Sequence, residues 1–433
     1  MRVSRRLLHH SQARQASRLL RPFSSASPAC PPASTSVCIV GAGPSGLFLS
    51  LLLSSYNVPN CVIEKQPRLP NHPQAHFLNT RSMEIIDSHF PSLYKSIIKA
   101  SPPKSHWSTF IFTTRILKGA NLGIYDHFAS PAARNLRLTS SSSCTHLMQN
   151  EFTKLLSERV TDGAGVDGAG VCFGQAFDRV TTDSSTADSS TNLTVHLKGQ
   201  HTLSSPTRIA CKYLVGCDGS HSLVRNASLG SPFIGTPSLQ TLINIHFTIP
   251  PASPLTHAIL NSLDSSPAML YFVYNHAVIA AIVAHDIERG EYVAQVPFFE
   301  PFQEPKDFTE KRCRELVMEA ITSEVSDATT EDITIKSVKP WRMSSMISSE
   351  YSNSEHNIFV AGDAAHVFPP AGGFGMNTGL QDVHGLAWRI ARDHHARDGT
   401  ELQVKKDARA SNARGKATSN AMHQTRCTKR DAT

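Results

Sequence analysis

The sequence lacks several things, and each absence excludes a class. None of its nine cysteines forms a CxxC pair. Cys217 and His221 lie close together, but no second ligand pair accompanies them. A structural zinc site and a disulfide scaffold are therefore not expected, and a reducing compartment suits the chain. No apolar run approaches the roughly twenty residues that a membrane-crossing helix needs. The mostly apolar stretch Leu47–Leu53 is short and follows a Gly-rich turn, so it reads as a buried helix. There is no acidic residue before Glu64, and no Phe, Trp or Tyr from Asp393 to the end.

The formal charge of +7 is concentrated at the two ends of the 433-residue chain. The basic ends lack the organisation of a folded phosphate-binding face, so nucleic acid is not an expected partner. Residues 1–35 are rich in Arg and Ser, and Leu7, Leu8, Leu19 and Leu20 could form one helical stripe. That composition predicts a mitochondrial transit peptide, with Arg21-Pro22-Phe23-Ser24 as an arginine-proximal cleavage site. A chloroplast address shares much of this composition; a secretory signal would need a continuous apolar core. Residues 393–433 have too little apolar surface to offset their ordering entropy, and are expected to be a disordered or atypical tail.

What is present begins abruptly after the Pro/Ser-rich linker Ser27–Ser36. Val37-Cys38-Ile39-Val40 reads as a buried parallel strand. Gly41-Ala42-Gly43-Pro44-Ser45-Gly46 comes next, then the helix Leu47–Ser54, then a second strand, Cys61-Val62-Ile63-Glu64. This is a βαβ unit carrying the GxGxxG spacing. Gly41 permits the tight turn, Gly43 lets backbone approach a pyrophosphate, and Gly46 lets the helix pack on the strand. Glu64, with Lys65 beside it, ends the second strand where a carboxylate can bond ribose hydroxyls. FAD and NAD both offer a free 2′-OH there, so this motif does not separate them.

A second motif is Tyr213–Arg225, in which a strand ends in Asp218-Gly219 and a helix is expected to start. A third, Val360–Asp382, delivers Gly362-Asp363 from a strand. It continues through Pro369-Pro370 into Gly372, Gly373 and Gly375, and a helix is expected from about Met376–Asn377 to Arg392. Backbone N–H groups of such a loop, with a helix dipole behind them, stabilise negative charge on a flat ring system. Between these motifs, Thr145–Leu156 reads as a helix, Val171–Phe177 and Leu193–Leu197 as strands around a Thr182–Thr191 loop, and Phe308–Glu324 as a helix. Thr80 is the expected cap of a helix near Thr80–Ile86, with Glu84 in its first turn. Several short β runs between Leu239 and Phe299 indicate a separate antiparallel sheet.

Together the three segments resemble the class A flavoprotein monooxygenases, the group of para-hydroxybenzoate hydroxylase, phenol hydroxylase and polyketide aromatic hydroxylases. Pro73–Glu84 and Ala268–Phe299 look like the phenol-hydroxylase-like subgroup. The resemblance implies an α/β fold: a Rossmann-like FAD-binding domain, discontinuous in sequence, with an inserted, mainly antiparallel β substrate domain. It places the FAD domain at 36–235 and 341–392, with substrate-domain strands near 105–140, and the main substrate sheet at 236–340.

It also implies roles for residues. Gly41, Gly43, Pro44, Ser45, Gly46, Glu64 and Lys65 would hold the ADP half of FAD, and Asp218 and Gly219 would serve FAD and NAD(P)H. Gly362 and Asp363 would meet the ribityl chain. Pro370, Gly372, Gly373, Gly375, Met376 and Asn377 would line the flavin ring. Gln149 matches a residue that contacts the ribityl or phosphate region. Several relatives carry Arg where Gln74 stands, so Gln74 receives no such role.

The implied reaction takes NAD(P)H as a transient co-substrate. Reduced FAD captures O₂ as a C4a-hydroperoxide that hydroxylates a phenolic or aromatic substrate. No metal is implied. The group that activates the substrate is not assigned. His246, Tyr271, Tyr274 and His276 are candidates in the middle sheet, and His366 lies near the flavin by motif position. Two other readings share the motifs: an FAD-dependent dehydrogenase or reductase of this fold, and an inactive FAD-binding protein. Oligomeric state is not readable.

Overall fold

The computed structural model describes residues 31–129, 135, 139–162, 170–182, 193–199, 208–261, 267–322 and 330–397. Residues 1–30 of the expected targeting segment, almost all of the Thr182–Thr191 loop and the tail from residue 398 lie outside the described residues.

The continuous apolar run at Val37–Val40 forms a strand buried on both faces, Ser34–Val40. It lies between Asn60–Glu64 and Arg208–Gly216, and is parallel to both. Val171–Phe173 extends the sheet beyond Asn60–Glu64. Ile358–Val360 runs parallel beside the last residues of Arg208–Gly216, whose first half pairs instead with Leu193–Gly199 of an antiparallel hairpin. The register sets the strand ends level. Val40 pairs with Ile63 and Gly216, and Gly216 with Val360. One face is covered by the helices Pro44–Ser55 and Phe374–Arg397, which bury Leu47, Leu52, Leu380, Val383 and Ile390 in one cluster. The other face closes over Val40, Ile63 and Leu214 with Phe177, Val195 and Leu197 of the hairpin.

The second sheet has eight strands. From one edge they run His366–Val367, Thr334–Ser348, Phe233–Thr248, Glu291–Pro297, Ile279–Asp286, Leu270–Tyr274, Thr109–Thr113 and Asn121–Asp126. All neighbours are antiparallel except Leu270–Tyr274 and Thr109–Thr113, which are parallel. Alternation assigns its faces. Ile243, Ile245, Phe247, Tyr292, Ala294, Ile282 and Tyr271 pack against the helix Glu310–Ile321 in a second core. The fold is thus α/β, a Rossmann-like parallel sheet joined to a mainly antiparallel one. A short ladder, Phe77–Leu78 with Thr145–His146, lies between them.

The observed elements differ locally from the expected ones. The strands Phe233–Thr248 and Thr334–Ser348 run through the boundaries placed at 236 and 340, because they form one long paired ribbon. Gly174, at φ +72°, splits Val171–Phe177 into two strands. Thr145–His146 is a strand, and the helix begins at Gln149. Of the expected helix Phe308–Glu324, the described residues form Glu310–Ile321, and 323–324 lie outside the described residues. Asn79, not Thr80, caps the helix Thr80–His89, its Oδ1 accepting from the Ser82 N–H at 2.8 Å. After Asp218 the chain forms a π-helical turn, Val224–Leu229. The third-motif helix starts two residues earlier than expected, at Phe374, and continues to Arg397. Among the described residues no helix is long and apolar enough to cross a membrane.

Candidate functional site

Because four parallel strands end level, the segments that leave them are brought together: the Gly41–Gly46 turn, Glu64, Asp218 and Asp363. Open α/β sheets bind ligands at this edge. Backbone contacts fix the assembly. Gly41 adopts φ +105°, and a Cβ there would lie 2.4 Å from the Cys217 carbonyl oxygen, so the first and second motifs touch. A Cβ on Gly46 would lie 2.0 Å from the Gly41 oxygen. Ser45 joins the first motif to the third. Its Oγ would be 2.7 Å from a Cβ on Gly362 and 2.4 Å from one on Gly379. Gly43 is the contrast, because a Cβ there would meet nothing within 4 Å. Its missing side chain therefore leaves open space in front of the helix that starts at Pro44, which has no side-chain cap. Uncapped N–H groups beside open space form a cradle for a phosphate.

The carboxylates divide into engaged and free. Glu64 Oε2 accepts from the Ala42 N–H at 2.8 Å, and Oε1 from the Gln66 N–H at 2.9 Å, which fixes the glycine turn against the second strand. Asp218 Oδ2 accepts from the Leu223 and Val224 N–H groups, while Oδ1 is buried without a hydrogen-bond partner. Gly219 sits beside it at φ +83°, its α-carbon facing open space. Asp363 makes no hydrogen bond among the described residues. Its side chain is open to solvent yet crowded by protein, as expected of a group on the wall of a deep, open crevice. Burial pushes its carboxyl up, and His366 pulls it partly back.

The glycine loop lies beside Asp363. Gly372 and Gly373 have φ of +81° and +63°, and a Cβ on Gly375 would lie 3.9 Å from Asp363 Oδ1. Pro370 is exposed, and its carbonyl accepts from the Gly373 N–H. Of the residues given ring-lining roles, Met376 and Asn377 are the two whose side chains the protein itself engages. Met376 packs against the core under the parallel sheet. Asn377 is 1% exposed and fully used. Its Oδ1 accepts from the Asn79 N–H and Ser82 Oγ, and its Nδ2 donates to the Phe77 and Gly373 carbonyls, all within 2.7–2.9 Å. An amide has no further hydrogen-bonding capacity. The Asn377 side chain is a clamp between the glycine loop and the Phe77–Ser82 segment, which leaves its backbone for a ligand.

Gln149 Oε1 accepts from the Ala75 N–H, and its Nε2 bonds Gln74 Oε1, so the two glutamines stand side by side. Lys65 is exposed at the end of its strand.

Of the substrate-activation candidates, Tyr271 faces the second core, and its hydroxyl accepts from the Ala268 N–H. Tyr274 and His276 are exposed at a strand end and its turn. His246 is on the opposite face from that core, but its two ring nitrogens meet Glu291 and His72. Sequence reasoning missed a histidine seam between the sheets. His76 Nδ1 is 3.2 Å from His146 Nδ1, His146 Nε2 donates to the His285 carbonyl at 2.8 Å, and the His76 and His285 rings are 5.2 Å apart. Burial pushes all three down, His146 to about 4. Sequence reasoning also missed Arg225, whose buried guanidinium donates to the Ala364 and Ser220 carbonyls and lies over the Phe233 ring. Among the described residues no group of three or more His, Cys, Asp or Glu could hold a metal.

A groove of about 910 Å³ opens elsewhere, behind the helix Phe374–Arg397, between Tyr351, Phe359 and Trp388. No motif glycine lines it.

The fold and the edge of this sheet define a dinucleotide-binding α/β protein. A family described as FAD binding domain matches residues 34–415, and the chain belongs to it. Its relatives include 2,4-dichlorophenol 6-monooxygenase of Delftia acidovorans, 26% identical over 382 residues, covering 85% of this chain and 59% of the relative. Tetracenomycin A2 monooxygenase-dioxygenase of Streptomyces glaucescens is 25% identical over 381 residues, covering 82% and 61%. The flavin-dependent monooxygenase PieE, solved with FAD and substrate, superposes at a TM-score of 0.70 with 23% identity, covering 85% of this chain and 59% of that one. At that identity the likeness shows the fold alone. The chain thus spans about three fifths of the length of these relatives.

Proposed function

We propose that this chain is an FAD-dependent monooxygenase that hydroxylates a phenolic or related aromatic ring, with NAD(P)H as reductant and O₂ as the oxygen source. One observation carries the reading: the level strand ends bring Gly43, Glu64, Asp218 and Asp363 to one edge. There the two closed glycines hold the turn, and the one open glycine leaves room for a pyrophosphate.

The residues present fit FAD. The cradle at Gly43 and the free N–H groups of Pro44–Ser55 suit the phosphates, and Glu64, at the end of the next strand, would offer its carboxylate to ribose hydroxyls. Asp363, which makes no hydrogen bond among the described residues, is available to a polyol chain. The start of the helix Phe374–Arg397 presents its N–H groups and positive dipole end where a ring would gain negative charge. When bound, FAD supplies hydride acceptance from the nicotinamide and activation of O₂ for transfer of one oxygen atom to the ring. The protein's part is to bind, orient and exclude water. Phe110, Phe112 and Phe272 form an aromatic cluster, with Phe112 and Phe272 stacked at 4.7 Å, which reaches the glycine loop through His127 and Phe77 and would suit a flat aromatic substrate.

The test is direct. Purified protein is supplied with FAD, its visible spectrum is recorded, and NADH and NADPH oxidation is followed with and without a panel of phenols. Bound flavin, phenol-stimulated oxidation and a hydroxylated product are expected. Flavin reduction without hydroxylated product would instead identify a dehydrogenase, and a folded protein that takes up no FAD would end the proposal. The Arg- and Ser-rich residues 1–35 support delivery to mitochondria. Their fusion to a fluorescent protein checks this, with chloroplast import as the competing outcome.

A further inference from the structure

The turn Gly362–His366 is held at nearly every point except the one that faces the crevice. The Gly362 N–H donates to Asp382 Oδ2 at 3.1 Å. The Ala364 carbonyl accepts from Arg225 at 2.9 Å, and the Ala365 carbonyl accepts from the Ser348 N–H at 2.7 Å. The His366 ring is 2% exposed, and its Nε2 lies 2.5 Å from the same Asp382 Oδ2. Asp363, in the middle, makes no hydrogen bond among the described residues. One carboxylate oxygen, sent from the helix Phe374–Arg397, therefore binds both ends of the turn that presents Asp363.

The imidazole has a second feature. Its Nδ1 is buried and has no hydrogen-bond partner among the described residues. A buried ring nitrogen without a partner costs free energy unless something at the site uses it or its charge. With Asp382 on Nε2, the ring is oriented as carboxylate-paired histidines are elsewhere, where the carboxylate fixes the tautomer and ring plane. Asp363 is the nearby group that senses the ring electrostatically.

Resting on the FAD reading above, we propose that His366 and Asp382 form a positioning pair for Asp363. Asp382 holds the turn in register with the helix, and the oriented imidazole sets the electrostatic environment in which Asp363 receives a polyol hydroxyl. Neither residue is assigned contact with the cofactor. Their effect passes through Asp363 and the Gly362 backbone.

The test uses the full chain and five proteins: wild type, His366→Phe, His366→Gln, Asp382→Ala and Asp382→Asn. Phe keeps a ring against Phe368, whose centroid is 4.8 Å from that of His366, but it loses both nitrogens. Gln keeps a donor for Asp382. Asn keeps an acceptor for Gly362 but loses the charge. Each apo protein is melted thermally, then titrated with FAD while flavin fluorescence and visible circular dichroism are read. His366→Phe and Asp382→Ala are expected to weaken FAD binding about tenfold to a hundredfold, the range for a lost charge-assisted hydrogen bond, and to change the flavin dichroism. His366→Gln is expected to recover most of the affinity, and Asp382→Asn part of it. The inference is overturned if variants with wild-type apo melting bind FAD with wild-type affinity and dichroism. It is equally overturned if affinity falls only in proportion to apo stability, with no rescue by Gln or Asn. Wild type that fails to take up FAD would instead sink the functional reading itself, a distinct result.

Discussion

Acid should open the seam between the two sheets, and the buried histidines set the size of the effect. His76, His146 and His285 have folded-state pKa values lowered by burial, His146 to about 4 from an ordinary 6.5. A depressed value means that the folded protein binds fewer protons than the unfolded chain. The stability these groups contribute is therefore fully present above about pH 6.5 and is lost as pH falls towards 4. Each such histidine gives a slope approaching about 1.4 kcal/mol per pH unit below 6.5. His146 alone costs about 2 kcal/mol at pH 5 and about 3 kcal/mol once pH has fallen below 4. His76 and His285 shift in the same direction and add to this loss, against the roughly 5–15 kcal/mol that holds an ordinary domain folded.

Urea unfolding at pH steps from 7.5 to 4.5 would measure this, with tryptophan fluorescence as one probe, because Trp107 stacks near His146. The wild type should lose stability steeply below pH 6.5. A His76→Gln/His146→Gln double variant should be less stable at pH 7.5 but lose less on acidification. Equal slopes in the two proteins would refute the reasoning.

The site itself predicts three further outcomes. Gly41→Ala should lose about 1–3 kcal/mol of apo stability from its positive φ, and more from the 2.4 Å overlap with the Cys217 oxygen, whereas Gly43→Ala should melt within about 0.5 kcal/mol of wild type yet bind FAD poorly. Thermal melts beside FAD titrations separate the two. Asn377→Leu should lower apo stability by about 3 kcal/mol or more, since the Asn79 N–H and the Phe77 and Gly373 carbonyls lose their partner; chemical denaturation reads this. Tyr271→Phe should leave any phenol hydroxylation near wild type, because its ring faces the second core; a product assay checks it.

The parts of the site readable from sequence are those that a single strand-turn-helix carries. Gly41, Glu64, Asp218 and Asp363 each come within a few residues of an apolar run, so local pattern placed them at strand ends. Asn377 was legible as a helix-start residue but not as a clamp, because its partners Asn79 and Phe77 lie about three hundred positions away. The His76–His146–His285 seam was hidden for the same reason. His246 and Tyr271 show another gap. Alternation says that neighbouring residues face opposite ways, but only the packed helix Glu310–Ile321 says which face is core. Asn79 and Thr80 are both good caps, and sequence alone chose the wrong one by a single position.

The short link between the sheets has a mechanical meaning. Ile358–Val360 belongs to the parallel sheet and His366–Val367 to the antiparallel one, and Asp363 sits at the midpoint of the five residues between them. That link is pinned rather than slack. Any tilt of the antiparallel sheet against the parallel one would find no loose chain here to absorb it, and would bear on Asp363. Filling one sheet would then be felt, as strain or its relief, by whatever the other is holding.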